Sequence, residues 1–333
     1  MKKTLLAFLL VIVLTTGLLA TVVAKEKEIR IAKQYGLAYL PLIVVEEQRL
    51  IEKNAKAANL GAVKTSWVTL GSGASANDAL LSGSVDYISG GVAPFITLWD
   101  KSKGAVKALA ALDHTPIYLN TVNPEVKSIR DFTEKDRIAV PAVKVSIQAV
   151  ILQMAAAQEF GNENFSKLDS LTVSLKHPDA LVALLSGKSE VTAHFATPPF
   201  SFQELENSKV RKIVDSYEIL GGPHTMNVLS TTKKFYDNNP KLNKVVLQSI
   251  DEAIAWIKNN KREAAELYIK ASKSNESVSD ILAQLNNPQI NYDSAPLRIT
   301  KFSDFLYQIG SIKTKPANWK ELFFPDIHHK KGS

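Results

Sequence analysis

The chain has 333 residues, of which 45% are hydrophobic and 22% are charged, and its formal net charge is +7. This length favours two domains, each large enough for its own core. Because cysteine is absent, disulfides, thiolate metal sites and cysteine nucleophiles are excluded. The basic residues are dispersed and not interleaved with aromatics, so nucleic acid is not an expected partner.

The N-terminus is typical of a secretory signal peptide. Two lysines precede an uncharged, mostly apolar run that ends at Ala24, before the charged sequence KEKE. The residues at positions −1 and −3 relative to Lys25 favour cleavage after Ala24, which predicts a periplasmic protein. Residues 4–24 are also long enough to span a bilayer, so an uncleaved anchor is the alternative.

The first half of the mature chain alternates strands with helices. The predicted strands cover residues 28–32, 63–68 and 85–89. Residues 40–53 have apolar positions at helical spacing. Ser72 is placed to cap a further helix that runs to Ser82, and Gly83 would supply the left-handed residue after it.

The second half repeats this order of elements. The predicted strands cover residues 137–139, 171–175 and 191–195. Ser146 caps a predicted helix that ends near Phe160. Pro178 lies in the first turn of a further helix that ends at Gly187.

One phrase, ALLSG, occurs in both halves, at residues 79–83 and 183–187. Its two copies fall on matching predicted elements, which indicates two similar lobes. Alternating strands and helices predict an α/β fold with mainly parallel sheets and right-handed crossovers. A ligand would lie between the lobes, beyond the carboxyl ends of the strands, and the lobes would close around it about a hinge.

The pattern after residue 222 is helical, and these helices are expected to return to the first lobe. That lobe would then be discontinuous in sequence. The predicted organisation is a signal peptide (1–24), a first lobe (25–113 and 222–327), a second lobe (114–221) and a flexible basic tail (328–333).

Three phrases carry a family resemblance. They are SWVTLGSGASANDALLSGSVDYISGG, SIRDFTEKDRIAVPAVKVS and TTKKFYDNNPKLNKVVLQSIDEAIAWIKNNKREAA. In order and spacing they resemble the periplasmic solute-binding proteins of nitrate, sulfonate and taurine ABC importers, including relatives that bind thiamine precursors. The resemblance covers essentially the whole mature chain. It implies a type II-like two-lobed binding-protein fold and a monomeric carrier that delivers a small molecule to an inner-membrane permease.

Two turns depart from the pattern of the family. Many sulfonate-binding relatives have G-D-x-P in the first lobe and W-D-P in the second. Here the corresponding stretches are Gly91-Val92-Ala93-Pro94 and Ala196-Thr197-Pro198. Without these carboxylates, an amine-bearing ligand such as taurine is less expected. A less charged, more apolar pocket is predicted instead.

The candidate binding residues lie on equivalent turns of the two lobes. The turn at residues 71–75 begins a helix whose N–H groups favour anions, and Ser146, near Lys144, begins its counterpart. Tyr35 offers an aromatic face and a hydroxyl. The predicted ligand-binding residues are Tyr35, Gly36, Leu37, Ser72, Gly73, Ala74, Gly91, Val92, His114, Val145, Ser146, Ala196 and Thr197. Ordinary capping or core packing is the alternative role for each of them.

The predicted function is the capture of a small organic anion, either sulfonate-like or aromatic and heterocyclic. The histidines lack metal-ligand spacing, so no metal, cofactor or catalytic residue is predicted. One alternative is an enzyme on the same fold, related to the thiamine-pyrimidine synthases, although those use a Cys-rich motif that this chain lacks. A second alternative is a sensory or scaffold protein tethered by an uncleaved N-terminus.

Overall fold

Two five-stranded sheets organise the chain. The structure, a computed structural model, describes residues 27–333, and the predicted signal peptide lies outside these residues. The strands are β1 (Lys27–Lys33), β2 (Val63–Thr69), β3 (Tyr87–Gly91), β4 (Val106–Ala111), β5 (Tyr118–Thr121), β6 (Ile138–Val140), β7 (Thr172–Ser174), β8 (Ala193–Ala196), β9 (Arg211–Asp215) and β10 (Asn227–Thr232). Within residues 27–333, no helix has both the length and the apolar character needed to cross a membrane.

Helices cover both sheets. They are α1 (Leu40–Glu47), α2 (Leu50–Ala57), α3 (Gly73–Leu81), α4 (Val92–Lys101), α5 (Ile147–Phe160), α6 (His177–Ser186), α7 (Phe200–Leu205), α8 (Ser216–Leu220), α9 (Lys233–Asn238), α10 (Pro240–Asn259), α11 (Lys261–Ser272), α12 (Val278–Asn286) and α13 (Ile299–Gln308). Short 3-10 turns connect several of these elements.

The two sheets share one topology. The first has the order β2-β1-β3-β10-β4 and the second the order β7-β6-β8-β5-β9. In each sheet the fourth strand runs antiparallel to both of its neighbours, while the other pairs are parallel. The chain crosses between the sheets twice, after β4 and before β10. The predicted two-lobed α/β fold is confirmed, and the sheets define a first and a second lobe.

The two copies of ALLSG end α3 and its counterpart α6, and a left-handed glycine, Gly83 or Gly187, follows each helix, as the sequence predicted. The turns that begin α3 and α5, predicted to be equivalent, are not, because α5 corresponds in order to α1 and α2 of the first lobe. Ser72 caps α3 with a side chain that accepts the N–H of Ser75, and Ser146 caps α5 in the same way from Ala149. Both caps satisfy helix donors that would otherwise lack a partner.

Two local differences from the sequence prediction have clear causes. The helix predicted over residues 40–53 is interrupted, because Arg49 adopts a left-handed conformation between α1 and α2. The stretch after residue 222, expected to be helical, begins with β10, an interior strand of the first sheet. This strand is buried almost throughout, so it lacks the alternation of polar and apolar residues that marks a half-exposed strand.

The C-terminal helices pack on the first lobe. Val246 and Ile250 of α10 belong to the same buried cluster as Ile29 of β1 and Val44 of α1. Residues 328–333, expected to form a flexible tail, also lie against this lobe. The Ser333 carbonyl accepts the N–H of Ile299 at 2.8 Å, and its N–H donates to the Pro296 carbonyl at 3.0 Å.

Candidate functional site

The two lobes are in contact across the cleft. The N–H of Leu37 in the first lobe donates to the Pro198 carbonyl of the second at 2.8 Å. Gly91, at the end of β3, faces Ile147 at the start of α5, and a methyl group on Gly91 would lie 2.8 Å from Ile147 Cγ2. The structure is therefore a closed arrangement that depends on a glycine at the contact.

A small cavity remains between the lobes. Its volume is about 20 Å³, room for about one water molecule. The first lobe contributes Gln34, Tyr35, Tyr39, Gly71, Gly73, Gly91, Pro94, Met226 and Asn227. The second lobe contributes Pro141, Ser146, Ile147, Gln148 and His177. None of these residues is an Asp, Glu, Lys or Arg, so the wall carries no fixed charge.

Four of the predicted site residues meet at this cavity, namely Tyr35, Gly73, Gly91 and Ser146. Gly36 lies beside it, at a larger outer cavity. The predicted residues that line neither cavity are Leu37, Ser72, Ala74, Val92, His114, Val145, Ala196 and Thr197.

The eight residues outside the cavities have other surroundings. Leu37, Val92 and Ala196 are buried in the core, whereas Val145 is 41% exposed. The His114 ring is within hydrogen-bonding distance of the Ala295 carbonyl (3.0 Å). Ser72 and Ala74 are partly exposed near the cavity, and Thr197 is fully buried next to Gly36. A role for these residues as ligand contacts stays a prediction.

Asn227 is a polar residue of the wall that the sequence analysis missed. It is fully buried, and its Oδ1 accepts the hydroxyl of Tyr39 at 2.8 Å. Its Nδ2 has no hydrogen-bond partner within residues 27–333. An unpaired buried amide costs free energy, so an acceptor that reaches this nitrogen, from a ligand or from the neighbouring Asp113 carboxylate, would be stabilised. No sequence signal marked it, because Asn227 begins the missed strand β10.

Two helices begin at the cavity. Gly73 begins α3 and Ile147 begins α5, and both residues line the cavity. The first N–H groups of a helix have no intrahelical acceptor and carry partial positive charge. The two ends and Asn227 therefore form a neutral wall that is rich in donors, which suits an anionic or strongly accepting group.

A buried set of polar side chains supports the wall from the second lobe. Gln148 Nε2 lies 3.1 Å from His177 Nε2, and His177 Nδ1 lies 2.8 Å from His194 Nε2. His194 Nδ1 contacts the carboxylate of Glu204. Burial, together with the neighbouring His194, lowers the pKa of His177 well below its usual value, so this imidazole is neutral.

Asp113 holds the backbone next to Asn227. Its carboxylate accepts the Asn227 N–H at 3.1 Å and the hydroxyl of Thr115. Burial raises the pKa of Asp113 from 3.8 to about 7, although these hydrogen bonds oppose the shift. The group therefore binds its proton more tightly in the folded than in the unfolded protein.

This pKa shift predicts a pH-dependent stability. Between about pH 4 and pH 7 the folded protein keeps a proton that the unfolded chain has lost. The Asp113 contribution to the free energy of unfolding should therefore fall, on the order of 1 kcal/mol per pH unit, as pH rises. Urea unfolding of the wild type and of Asp113→Asn at several pH values measures this contribution as the difference in free energy of unfolding between the two proteins. A difference between the two proteins that does not change with pH would contradict the shift.

A larger cavity adjoins the small one. Its volume is about 680 Å³, and it shares Gln34 and Tyr35 with the cleft cavity. Ile43, Leu181 and Phe200 add apolar surface. Because the two cavities share lining residues, a ligand with its polar group between the lobes has room for an apolar part outside. In the described part of the chain, no group of three His, Cys, Asp or Glu side chains is arranged so that it could hold a metal ion.

Two lobes with the same sheet order, closed over a cavity at helix N-termini, define the class of periplasmic binding-protein folds. The model of the NMT1-like family matches residues 24–270, and the chain belongs to this family. Among curated proteins, none matches the sequence.

Solved structures share the fold at low sequence identity. The alkanesulfonate-binding protein SsuA from Xanthomonas axonopodis pv. citri, bound to MOPS, has a TM-score of 0.69 and 17% identity over 88% of this chain and 96% of its own. The aliphatic sulphonate-binding SsuA from Escherichia coli has a TM-score of 0.67 and 18% identity, over 91% and 99%. The nitrate-binding NrtA from Synechocystis PCC 6803 has a TM-score of 0.66 and 16% identity, over 89% and 84%.

Proposed function

We propose that the protein is the periplasmic solute-binding component of an ABC importer. It captures a small organic compound between its lobes and delivers it to an inner-membrane permease. The observation that carries this proposal is the convergence of two helix N-termini and the unpaired Asn227 amide on one closed interlobe cavity. Membership of the NMT1-like family and the folds of the sulfonate- and nitrate-binding proteins support it.

The proposed solute has a compact anionic or accepting group and an apolar, aromatic or heterocyclic remainder. The first part suits the donor-rich inner cavity, which has no carboxylate to repel it. The second part suits the outer cavity, where Tyr35 and Phe200 offer ring faces. Nitrate alone would leave the outer cavity empty and would find no cationic side chain in the inner wall.

Binding without catalysis is part of the proposal. Ser146 Oγ, a hydroxyl of the wall, accepts the N–H of Ala149 as a helix cap and is not bonded to an imidazole. His194 and Glu204 do form a pair, but both are fully buried away from the cavity. A hydrolytic site would need a nucleophile in contact with its base.

Export to the periplasm follows from the predicted signal peptide. Mass spectrometry of the exported protein is expected to find Lys25 as its first residue. Retention of residues 1–24 would instead favour the tethered alternative.

A thermal-shift screen of residues 25–333 tests the proposal. The panel contains alkanesulfonates, taurine, nitrate, aromatic carboxylates, pyrimidines and flavin-like heterocycles. A cognate solute at 100 times its Kd should raise the free energy of unfolding by about 2.7 kcal/mol. If no compound shifts the unfolding temperature and native mass spectra of the purified protein show no retained solute, the results would count against solute binding.

A further inference from the structure

A line of four buried side chains runs from the cavity into the second lobe. Gln148 lies at the cavity wall, followed by His177, His194 and Glu204. His194 and Glu204 are fully buried, and the other two are nearly so. The second carboxylate oxygen of Glu204 accepts Asn120 Nδ2 at 2.9 Å. None of these contacts caps a helix or pairs two strands, so the line is a separate set of buried hydrogen bonds.

The hydrogen bonds in this line have one direction. The amide nitrogen of Gln148 can only donate, so His177 Nε2 is the acceptor and the proton of His177 is on Nδ1. That proton is donated to His194 Nε2, which places the proton of His194 on Nδ1. The carboxylate of Glu204 accepts it there. A carboxylate can thus fix the tautomers of two imidazoles in series, because each ring has one donor and one acceptor nitrogen.

Gln148 is the residue of this line that lies at the cavity, where a ligand can contact it. Its nitrogen is held by His177, so the Oε1 end of the amide is its free acceptor at the cavity wall. Across the cleft Asn227 has the opposite arrangement, since its Oδ1 is held by Tyr39 and its Nδ2 is free. The second lobe therefore has an acceptor at Gln148 Oε1, and the first lobe has an unpaired amide donor at Asn227 Nδ2.

We propose that Glu204 acts as a positioning residue that fixes Gln148 as a hydrogen-bond acceptor, so that the bound solute carries an N–H or O–H donor beside an acceptor. Amides, lactams and imide-type heterocycles have this pair of groups. A simple alkanesulfonate or nitrate ion has acceptors only and would leave Gln148 Oε1 unpaired. This inference rests on the proposed function for its ligand, but the tautomers can be measured without any ligand.

The first test measures the tautomers by long-range ¹H–¹⁵N NMR of the ligand-free protein at neutral pH. His177 and His194 are each expected to carry the proton on Nδ1 alone, with their signals assigned from H177N and H194N. Glu204→Gln can offer an amide nitrogen to His194, so a population protonated on Nε2 should appear. Glu190→Gln is the matched control, because Glu190 has a side chain that is 76% exposed and lies outside this line. An Nε2 proton on either ring in the wild type would overturn the proposal.

The second test measures ligand preference by titration. Uracil is compared with 1,3-dimethyluracil, and benzamide with N,N-dimethylbenzamide, so that each pair differs in its N–H donors. The donor-bearing member should bind about tenfold more tightly, because its partner leaves a buried acceptor unpaired. Gln148→Met, of similar size but without the acceptor, should reduce this preference towards onefold.

The outcomes separate the two proposals. Equal binding of the methylated and unmethylated compounds by the wild type would overturn the acceptor role of Gln148. If no compound of the panel binds but His177 and His194 both carry the proton on Nδ1, the result would count against the proposed solute class. The direction of the hydrogen bonds would still be supported. Nε2 protons together with normal solute binding would overturn both the role of Glu204 and the acceptor role of Gln148, and would leave solute capture supported.

Discussion

Gly91→Ala is expected to prevent the lobes from closing fully on a solute. The backbone at Gly91 has φ −58° and ψ 147°, which alanine adopts without strain. The added methyl group, however, would lie 2.8 Å from Cγ2 and 2.9 Å from Cβ of Ile147 in the other lobe. Overpacking of this kind costs about 1–3 kcal/mol, which corresponds to a loss of solute affinity of roughly 5- to 150-fold.

Small-angle scattering with saturating solute measures this effect. Gly91→Ala should have a larger radius of gyration than the wild type. Gly71→Ala is the matched control, because its methyl group would meet Lys176 Cβ across the same cleft at an ordinary 3.6 Å. Adding Ile147→Gly to Gly91→Ala removes the clash and should restore closure. If Gly91→Ala closes as fully as the wild type, the two lobes do not meet at this contact.

Ser146→Leu is expected to abolish solute binding while the protein remains folded. Ser146 lines a cavity with a volume of only about 20 Å³, so a leucine side chain would occupy the ligand's space. We expect an affinity loss of about 3 kcal/mol, or more than about 100-fold. The substitution also removes the cap of α5, which should lower the free energy of unfolding by about 1 kcal/mol.

Ser146→Ala separates these two effects. It loses the same cap but leaves the cavity open, so its stability should match that of Ser146→Leu while most of its affinity is kept. Thermal-shift titrations of the three proteins give both quantities. Undiminished binding by Ser146→Leu would show that the start of α5 does not contact the solute.

Local patterns in the sequence were sufficient for much of the fold. The sequences around Ser72 and Ser146 encode caps and the two ALLSG phrases encode left-handed turns, which depend on neighbouring residues only. Such signals predicted α3, α5 and α6 and the two-lobed plan. They also predicted that Gly73, Gly91 and Ser146 lie at the cavity, because turns at the carboxyl ends of the strands of both lobes face the same cleft.

Features that depend on distant contacts could not be predicted in this way. β10 is a strand because it fits between β3 and β4, which are more than 100 residues earlier in the sequence. Its own residues are buried on both faces and show no alternation. Asn227, the first residue of β10, was therefore missed, although it supplies the unpaired donor of the site.

The side chains behind Gln148 illustrate the same limit. His177, His194 and Glu204 come from α6, β8 and α7, and no spacing rule connects them. In the sequence, nothing distinguishes each of these residues from an ordinary buried or surface polar side chain. Only their packing produces a directional set of hydrogen bonds that ends at the cavity.

Native mass spectrometry of residues 25–333 with the solute panel tests the central claim most directly. We predict a 1:1 complex with one class of solute for the wild type and for Ser146→Ala, and no complex for Ser146→Leu. A complex that persists on Ser146→Leu would place binding outside the cleft. The absence of any complex on the wild type would contradict solute capture itself.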